Sequence, residues 1–250
     1  MLGITRRGFG GSSRPEGGYD SQTRAADIVA VLDSLRIPRA VLVGHSLAGD
    51  ELTRIAATYP QRVRALVYLD AYEYGDEFRR MQEEMPEVPQ DAPPAPMTAA
   101  DSASLQSFIA YRERLLGVTY PIGEVLIHAR FAPDGRFTGM LPRKEREVRA
   151  GLAPADLSRV AAPALAIYVP IESVEQFFER YSSFDAQNQA AARHAFAIWS
   201  GWNSNARTRF RTLAQRPTVV LLRGAHHFVF LTHPELVERE IRAFLSRNPG

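Results

Sequence analysis

A serine hydroxyl becomes a nucleophile only when a base takes its proton as it attacks. Imidazole, with a pKa of about 6.5, is the side chain suited to that task near neutrality. Both groups occur in distinctive settings. Ser46 lies in Ala40-Val41-Leu42-Val43-Gly44-His45-Ser46-Leu47-Ala48-Gly49-Asp50-Glu51, and His226 and His227 stand side by side in Arg223-Gly224-Ala225-His226-His227-Phe228. An acid is needed to hold the imidazole tautomer and stabilise its cation. Two carboxyls follow apolar, strand-like runs: Asp70 closes Val63-Arg64-Ala65-Leu66-Val67-Tyr68-Leu69, and Glu172 follows Pro163-Ala164-Leu165-Ala166-Ile167-Tyr168-Val169-Pro170-Ile171. Nucleophile, base and acid are the parts of covalent acyl transfer. The chain has no cysteine, which removes thiol catalysis, disulfides and thiolate metal sites together.

The elements that must position Ser46 are legible around it. Four apolar residues, two of them β-branched, read as a strand buried on both faces. Beyond the turn, Leu52, Ile55, Ala56 and Tyr59 recur at helical spacing until Pro60. A serine at the apex of a strand that turns directly into a helix is the arrangement of a nucleophile elbow. The turn is tight, so its flanks need glycine or alanine. The positive end of the following helix lies beneath the hydroxyl, and the Leu47 N–H can face a developing oxyanion. Taken alone, the stretch has a rival reading as a phosphate-binding turn or a plain strand–helix junction. His45 is expected to pack beside the elbow, while His128, His194 and His233 have no motif around them.

This stretch resembles the elbow of the α/β-hydrolase superfamily, Gly-His-Ser-x-Gly-Gly, with Ala48 in place of the first glycine of the pair. Two more segments carry the resemblance. Arg7-Gly8-Phe9-Gly10-Gly11-Ser12 is similar to the family's Arg-Gly-x-Gly-x-Ser loop. Gly224-Ala225-His226-His227-Phe228, followed by the helix start His233-Pro234-Glu235, is similar to its histidine loop. The resemblance implies an α/β fold, a mostly parallel sheet flanked by helices with a helical cap. It puts the base on His227, with His226 as its neighbour. It also implies an acid at Asp70, a position that haloalkane dehalogenases and other members use, with Glu172 as the alternative. The order Ser46, Asp70, His227 is the family's nucleophile–acid–base order. Serine at the apex disfavours the aspartate-nucleophile chemistry of dehalogenases and epoxide hydrolases.

What the resemblance implies is a serine hydrolase that cleaves a carboxylic ester, or an amide, of a small molecule through an acyl-enzyme. It calls for no metal and no cofactor. Two rivals share the scaffold: a ligand-binding or receptor-like protein, and a lyase, since fold and triad do not fix the reaction. The family also places three strands before the Arg-Gly-x-Gly-x-Ser loop, and a His-Gly loop after the third supplies a second oxyanion donor. Neither precedes the loop here. We therefore expect either that the sequence starts late, or that Leu2–Thr5 is a strand tail that pairs directly with the elbow strand.

The 250 residues are bounded by ordinary globular composition, 45% hydrophobic and 23% charged. We expect a core over 1–73 and 162–250 and a helical cap inserted over 74–161. Within the cap, the prolines from Pro86 to Pro96 break regular structure, a helix runs over about 102–116, and a turn falls at Pro133-Asp134-Gly135. Ser21 is expected to cap a helix carrying Ile28, Val31, Leu32 and Leu35. Thr218–Leu222 is the last strand, and Pro234 opens the last helix, which buries Val237, Ile241, Phe244 and Leu245. Phe177, Phe178, Phe196, Trp199 and Trp202 are read as packing residues. Net charge is +2 with no basic run interleaved with aromatics, so nucleic acid is not implied. No apolar run is long enough to span a bilayer, and with no signal-peptide pattern at Met1–Gly8 a cytoplasmic setting is expected. No interface patch separable from cap packing indicates an oligomeric state.

Overall fold

The structure, a computed structural model, describes residues 1–88 and 96–249. Pro89, Pro93 and Pro94 of the proline-rich stretch lie outside the described residues. In chain order the elements are α1 (Ser21–Ser34), β1 (Ala40–His45), α2 (Ala48–Thr58), β2 (Val63–Leu69), α3 (Asp76–Glu84), α4 (Leu105–Leu116) and α5 (Ile122–His128). A hairpin of β3 (Ala129–Phe131) and β4 (Phe137–Met140) follows, then α6 (Glu145–Ala150), β5 (Ala164–Tyr168), α7 (Val174–Phe177), α8 (Ala186–Leu213), β6 (Pro217–Leu221), α9 (Val229–Thr232) and α10 (Pro234–Arg247). They fall into two compact units, one of Met1–Asp20 with Ala92–Gly151 and one of Ser21–Asp91 with Leu152–Gly250.

The larger unit is built on a parallel sheet of order β1-β2-β5-β6. Alternation along each strand sends side chains to both faces. Leu42, Leu66, Tyr68, Ala164, Ala166 and Tyr168 share one core with Ala25 and Val29 of α1, Ile55 of α2 and Phe210 of α8. Ala65, Val67, Leu69, Leu165 and Ile167 share the other with Val237 and Phe244 of α10. Burial on both faces accounts for the apolar runs Ala65–Leu69 of β2 and Ala164–Tyr168 of β5. The expectation that β1 is buried on both faces is corrected, because its Val43 is exposed. Parallel register brings the carboxyl ends together, with His45 opposite Leu69, Leu69 opposite Ile167, and Tyr168 opposite Leu221. In sheets of this kind, chemistry gathers beyond these ends.

On α1 the buried residues are Ser21, Arg24, Ala25, Val29 and Leu32, while Leu35, one residue past its end, is exposed. Arg24, on the same side of the helix as Leu35, is buried. Its guanidinium donates to Asp50 Oδ2 at 2.6 Å and Glu51 Oε1 at 2.9 Å, both in the first turn of α2. Ser21 is the first helical residue; its hydroxyl accepts the Ala153 N–H at 3.1 Å and meets Arg24 at 3.3 Å.

The smaller unit packs Phe108 and Ile109 of α4 against Val125, Ala129, Phe131 and Phe137. Ser104 and Ser107 cap α4 reciprocally. The turn at Pro133-Asp134-Gly135 joins β3 to β4, with Gly135 N–H donating to Ala132 O at 2.9 Å. The expectation that Leu2–Thr5 forms a strand paired with the elbow strand is corrected. Residues 2–5 form no strand, and among the described residues β1 pairs with β2 alone. The physical reason is local. Chain reversal begins at Arg6, whose carbonyl accepts the Phe9 N–H at 3.1 Å, and the Thr5 carbonyl is taken by Ser12 Oγ at 2.7 Å.

Candidate active site

Ser46 stands between β1 and α2 with φ of 53°. A side chain with a Cβ pays roughly 1–3 kcal/mol to sit in that left-handed region, so surrounding contacts must enforce it. They do. The Ser46 N–H donates to the Leu69 carbonyl at 3.2 Å, and its own carbonyl accepts the Gly49 N–H at 3.0 Å, which closes the first turn of the helix. The flanks leave no room. A Cβ on Gly44 would lie 2.8 Å from the Ala48 Cβ, and one on Gly49 would lie 2.1 Å from the Tyr72 carbonyl oxygen. Alanine is a better helix former than glycine by about 1 kcal/mol. Even so, Gly49→Ala is expected to destabilise by about 1–3 kcal/mol, because the clash is with backbone and only separating α2 from residue 72 relieves it. Chemical denaturation measures this, and an unchanged midpoint would show that the contact yields freely.

The Leu47 N–H, just ahead of α2, forms no hydrogen bond among the described residues. That leaves it one of the orphan donors of a helix start, aimed where negative charge is best tolerated.

Asp70 is the residue after β2, as Ser46 is the residue after β1, and it too has a positive φ, 41°. Its N–H is held by the Ile167 carbonyl at 2.7 Å. Oδ1 accepts the Val169 N–H at 3.0 Å and lies 3.5 Å from the Tyr72 hydroxyl. Oδ2 meets His227 Nδ1 at 2.7 Å. Burial, then the Asp70 carboxylate, push the Tyr72 phenol well up, against a smaller opposing influence of the Asn203 side chain. Tyr72 therefore remains a donor to Asp70. An ionised carboxylate only accepts, so this pair puts the imidazole proton on Nδ1 and leaves Nε2 with its lone pair.

His227 lies in the loop after β6, which Gly224 turns with φ of 71°. His226 is engaged otherwise, since its Nδ1 accepts the Phe228 N–H at 3.1 Å. Glu172 is half-exposed and paired with Arg223. Of the two carboxyls proposed from sequence, the structure brings Asp70 to His227 and leaves Glu172 on the surface. Ser46 Oγ makes no hydrogen bond among the described residues. It shares the sheet end with the Asp70–His227 pair without being joined to it, as is common before substrate binds. Sequence reasoning missed Tyr72 and the Val169 N–H. The spacing Asp70-x-Tyr72 was the available signal for the first, and a backbone donor leaves none.

His45 packs against the same loop. Its ring centroid is 4.4 Å from that of His227 and 5.0 Å from those of Phe228 and Phe230. Its Nε2 lies 3.0 Å from the His227 carbonyl oxygen. Burial, then the neighbouring His227, bring its pKa down to about 4. Among the described residues, no group of three or more histidine or acidic side chains is arranged to hold a metal ion, and no helix is long and apolar enough to cross a membrane.

The family model described as alpha/beta hydrolase fold matches residues 2–230. Over 73 residues the chain is 38% identical to 2-(acetamidomethylene)succinate hydrolase of Mesorhizobium japonicum, a stretch that covers 29% of this chain and 26% of that protein. It is 42% identical over 72 residues to a non-heme chloroperoxidase of Streptomyces lividans, covering 28% of this chain and 26% of that protein. It is 39% identical over 72 residues to bifunctional epoxide hydrolase 2 of Mus musculus, covering 28% and 13%. The matched stretch thus spans about a quarter or less of these relatives. The crystal structure of E-2-(acetamidomethylene)succinate hydrolase aligns with a TM-score of 0.58 and 23% identity, over 96% of this chain and 79% of that one. A family match running from residue 2 to residue 230, over a parallel sheet with a serine elbow at its carboxyl edge, makes this chain a member of the α/β-hydrolase fold family.

Proposed function

We propose that the chain is a serine hydrolase that cleaves a carboxylic ester, or an amide, of a small molecule through an acyl-enzyme. The observation that carries this reading is the Asp70–His227 hydrogen bond, made at the same sheet end as the strained Ser46. His227 Nε2 takes the hydroxyl proton as Ser46 Oγ adds to the substrate carbonyl. Asp70 stabilises the imidazolium that results. The oxyanion is met by the Leu47 N–H. His227 then returns the proton to the leaving alcohol or amine, and water, activated by the same imidazole, releases the acid.

Relatives named as an epoxide hydrolase and a chloroperoxidase show that the family hosts other reactions. A serine at the apex favours acyl transfer here, because its hydroxyl needs the base that His227 provides. Incubation with a fluorophosphonate is the test, and labelling at Ser46 that is lost in Ser46→Ala is the expected result. Turnover of p-nitrophenyl acetate should fall to background in the same variant. A wild-type protein that folds but does not label would overturn the reading in favour of a ligand-binding role. Labelling without ester turnover would point to a non-hydrolytic reaction on the same residues.

A further inference from the structure

We propose that His45 is a positioning residue for the base, holding the His227 backbone to the end of β1 by donating its Nε2–H to the His227 carbonyl. The proposal rests on the reading of Ser46 and His227 as nucleophile and base. Three features support it. A carbonyl oxygen only accepts, so at 3.0 Å the shared proton belongs to His45 Nε2. The pKa of about 4 keeps the His45 ring uncharged at working pH. The ring is wedged among His227, Phe228 and Phe230, which fixes its direction.

The need for a second tie follows from geometry. The Asp70 bond fixes Nδ1 of the His227 ring but leaves the ring and its backbone free to pivot about that contact. The start of the loop is tied to the β5 side by the Leu222 N–H, which donates to the Tyr168 carbonyl at 2.9 Å, and by Arg223, paired with Glu172. Nearer His227, the hydrogen bonds from Ala225 N–H to Leu222 and from Phe228 N–H to His226 are local to the loop. His45 therefore supplies a tie from the sheet to the His227 backbone. It is the residue next to Ser46, so one peptide unit and one hydrogen bond connect nucleophile to base. A displacement of about 1 Å between reacting groups can cost on the order of 100-fold in rate. Neutrality matters as well, because a cation at this distance would oppose the imidazolium that His227 becomes during attack.

The test uses three variants of the full chain. His45→Gln keeps a neutral N–H donor at about the same reach, His45→Met has similar bulk without the donor, and His45→Phe keeps a ring without the donor. With p-nitrophenyl acetate, Met and Phe are expected to lower kcat by about 10- to 100-fold with KM changed less than about twofold, and Gln to restore most of the loss. The downfield proton resonance of His227 Nδ1–H, assigned by its absence in His227→Gln, should persist in His45→Gln and broaden in the other two. That resonance comes from the Asp70 pair and is read without turnover. A protein that fails to label with fluorophosphonate defeats the hydrolase reading, while the resonance still decides the role of His45. Met and Phe variants matching the wild type, or Gln falling as far as they do, would overturn the proposal. If Phe does not fold, the Gln–Met pair carries the same contrast.

Discussion

Asp70→Asn is expected to lower kcat by about 10⁴-fold while leaving the protein folded. The carboxamide oxygen can keep the Val169 N–H and the Tyr72 hydroxyl, so the end of β2 retains its ties. The amide nitrogen then faces His227 Nδ1, where the carboxylate oxygen had been. Two donors cannot share that bond. The imidazole must present its Nδ1 lone pair and carry its proton on Nε2, which is the wrong tautomer to accept from Ser46. A loss of 10⁴ corresponds to about 5.4 kcal/mol of transition-state stabilisation, of the size expected for a buried, doubly anchored carboxylate. Glu172→Gln, by contrast, should stay within about twofold, because a half-exposed pair with Arg223 contributes little. Steady-state hydrolysis of p-nitrophenyl acetate by the two variants decides the matter. Turnover abolished only in the glutamine variant would move the acid to position 172.

Arg24→Met should cost about 3–5 kcal/mol of stability, the largest loss expected from a residue outside the candidate triad. Arg24 and Asp50 are fully buried and Glu51 nearly so, and the guanidinium spans both carboxylates. Methionine fills much of the space but leaves two acidic groups in an apolar setting without their counter-charge. Burial, opposed by Arg24, already lifts the Asp50 pKa from 3.8 to about 6. The folded state therefore holds the Asp50 proton more tightly than the unfolded chain. The associated stability is present below about 3.8 and is lost as pH rises through about 6. Removing Arg24 raises the folded pKa further, so the variant should lose less stability at pH 5 than at pH 8. Urea unfolding at the two pH values reads this. A variant equally stable to the wild type at pH 8 would mean that α1 and α2 separate and admit water. Since the pair braces the first turn of α2, labelling of Ser46 should slow in parallel.

The elbow was legible because everything it needs is adjacent in the chain. An apolar run, small flanks at Gly44 and Gly49, and a helical period starting at Leu52 are local signals, and the strand, turn and helix formed where those signals lie. β2 and β5 were legible for the same reason, since burial on both faces writes a nearly unbroken apolar run. β1 and β6, covered only in part, showed themselves by their β-branched residues. Arg24 was not legible. A lone arginine in a helix reads as surface until its partners at positions 50 and 51 are known. The β3–β4 hairpin showed only its turn, because strands of three and four residues are too short to display alternation.

By itself, the sequence determined a serine at the apex of a strand-to-helix turn, a pair of histidines beyond the last strand, and two carboxyls after strands. Tertiary structure alone decided which carboxyl meets which imidazole, and where the His45 ring packs. Those outcomes depend on strand order and register across β1, β2, β5 and β6. Parallel neighbours are joined through long crossovers, so residues 157 positions apart meet at 2.7 Å while Glu172, four residues beyond the end of β5, turns out to solvent.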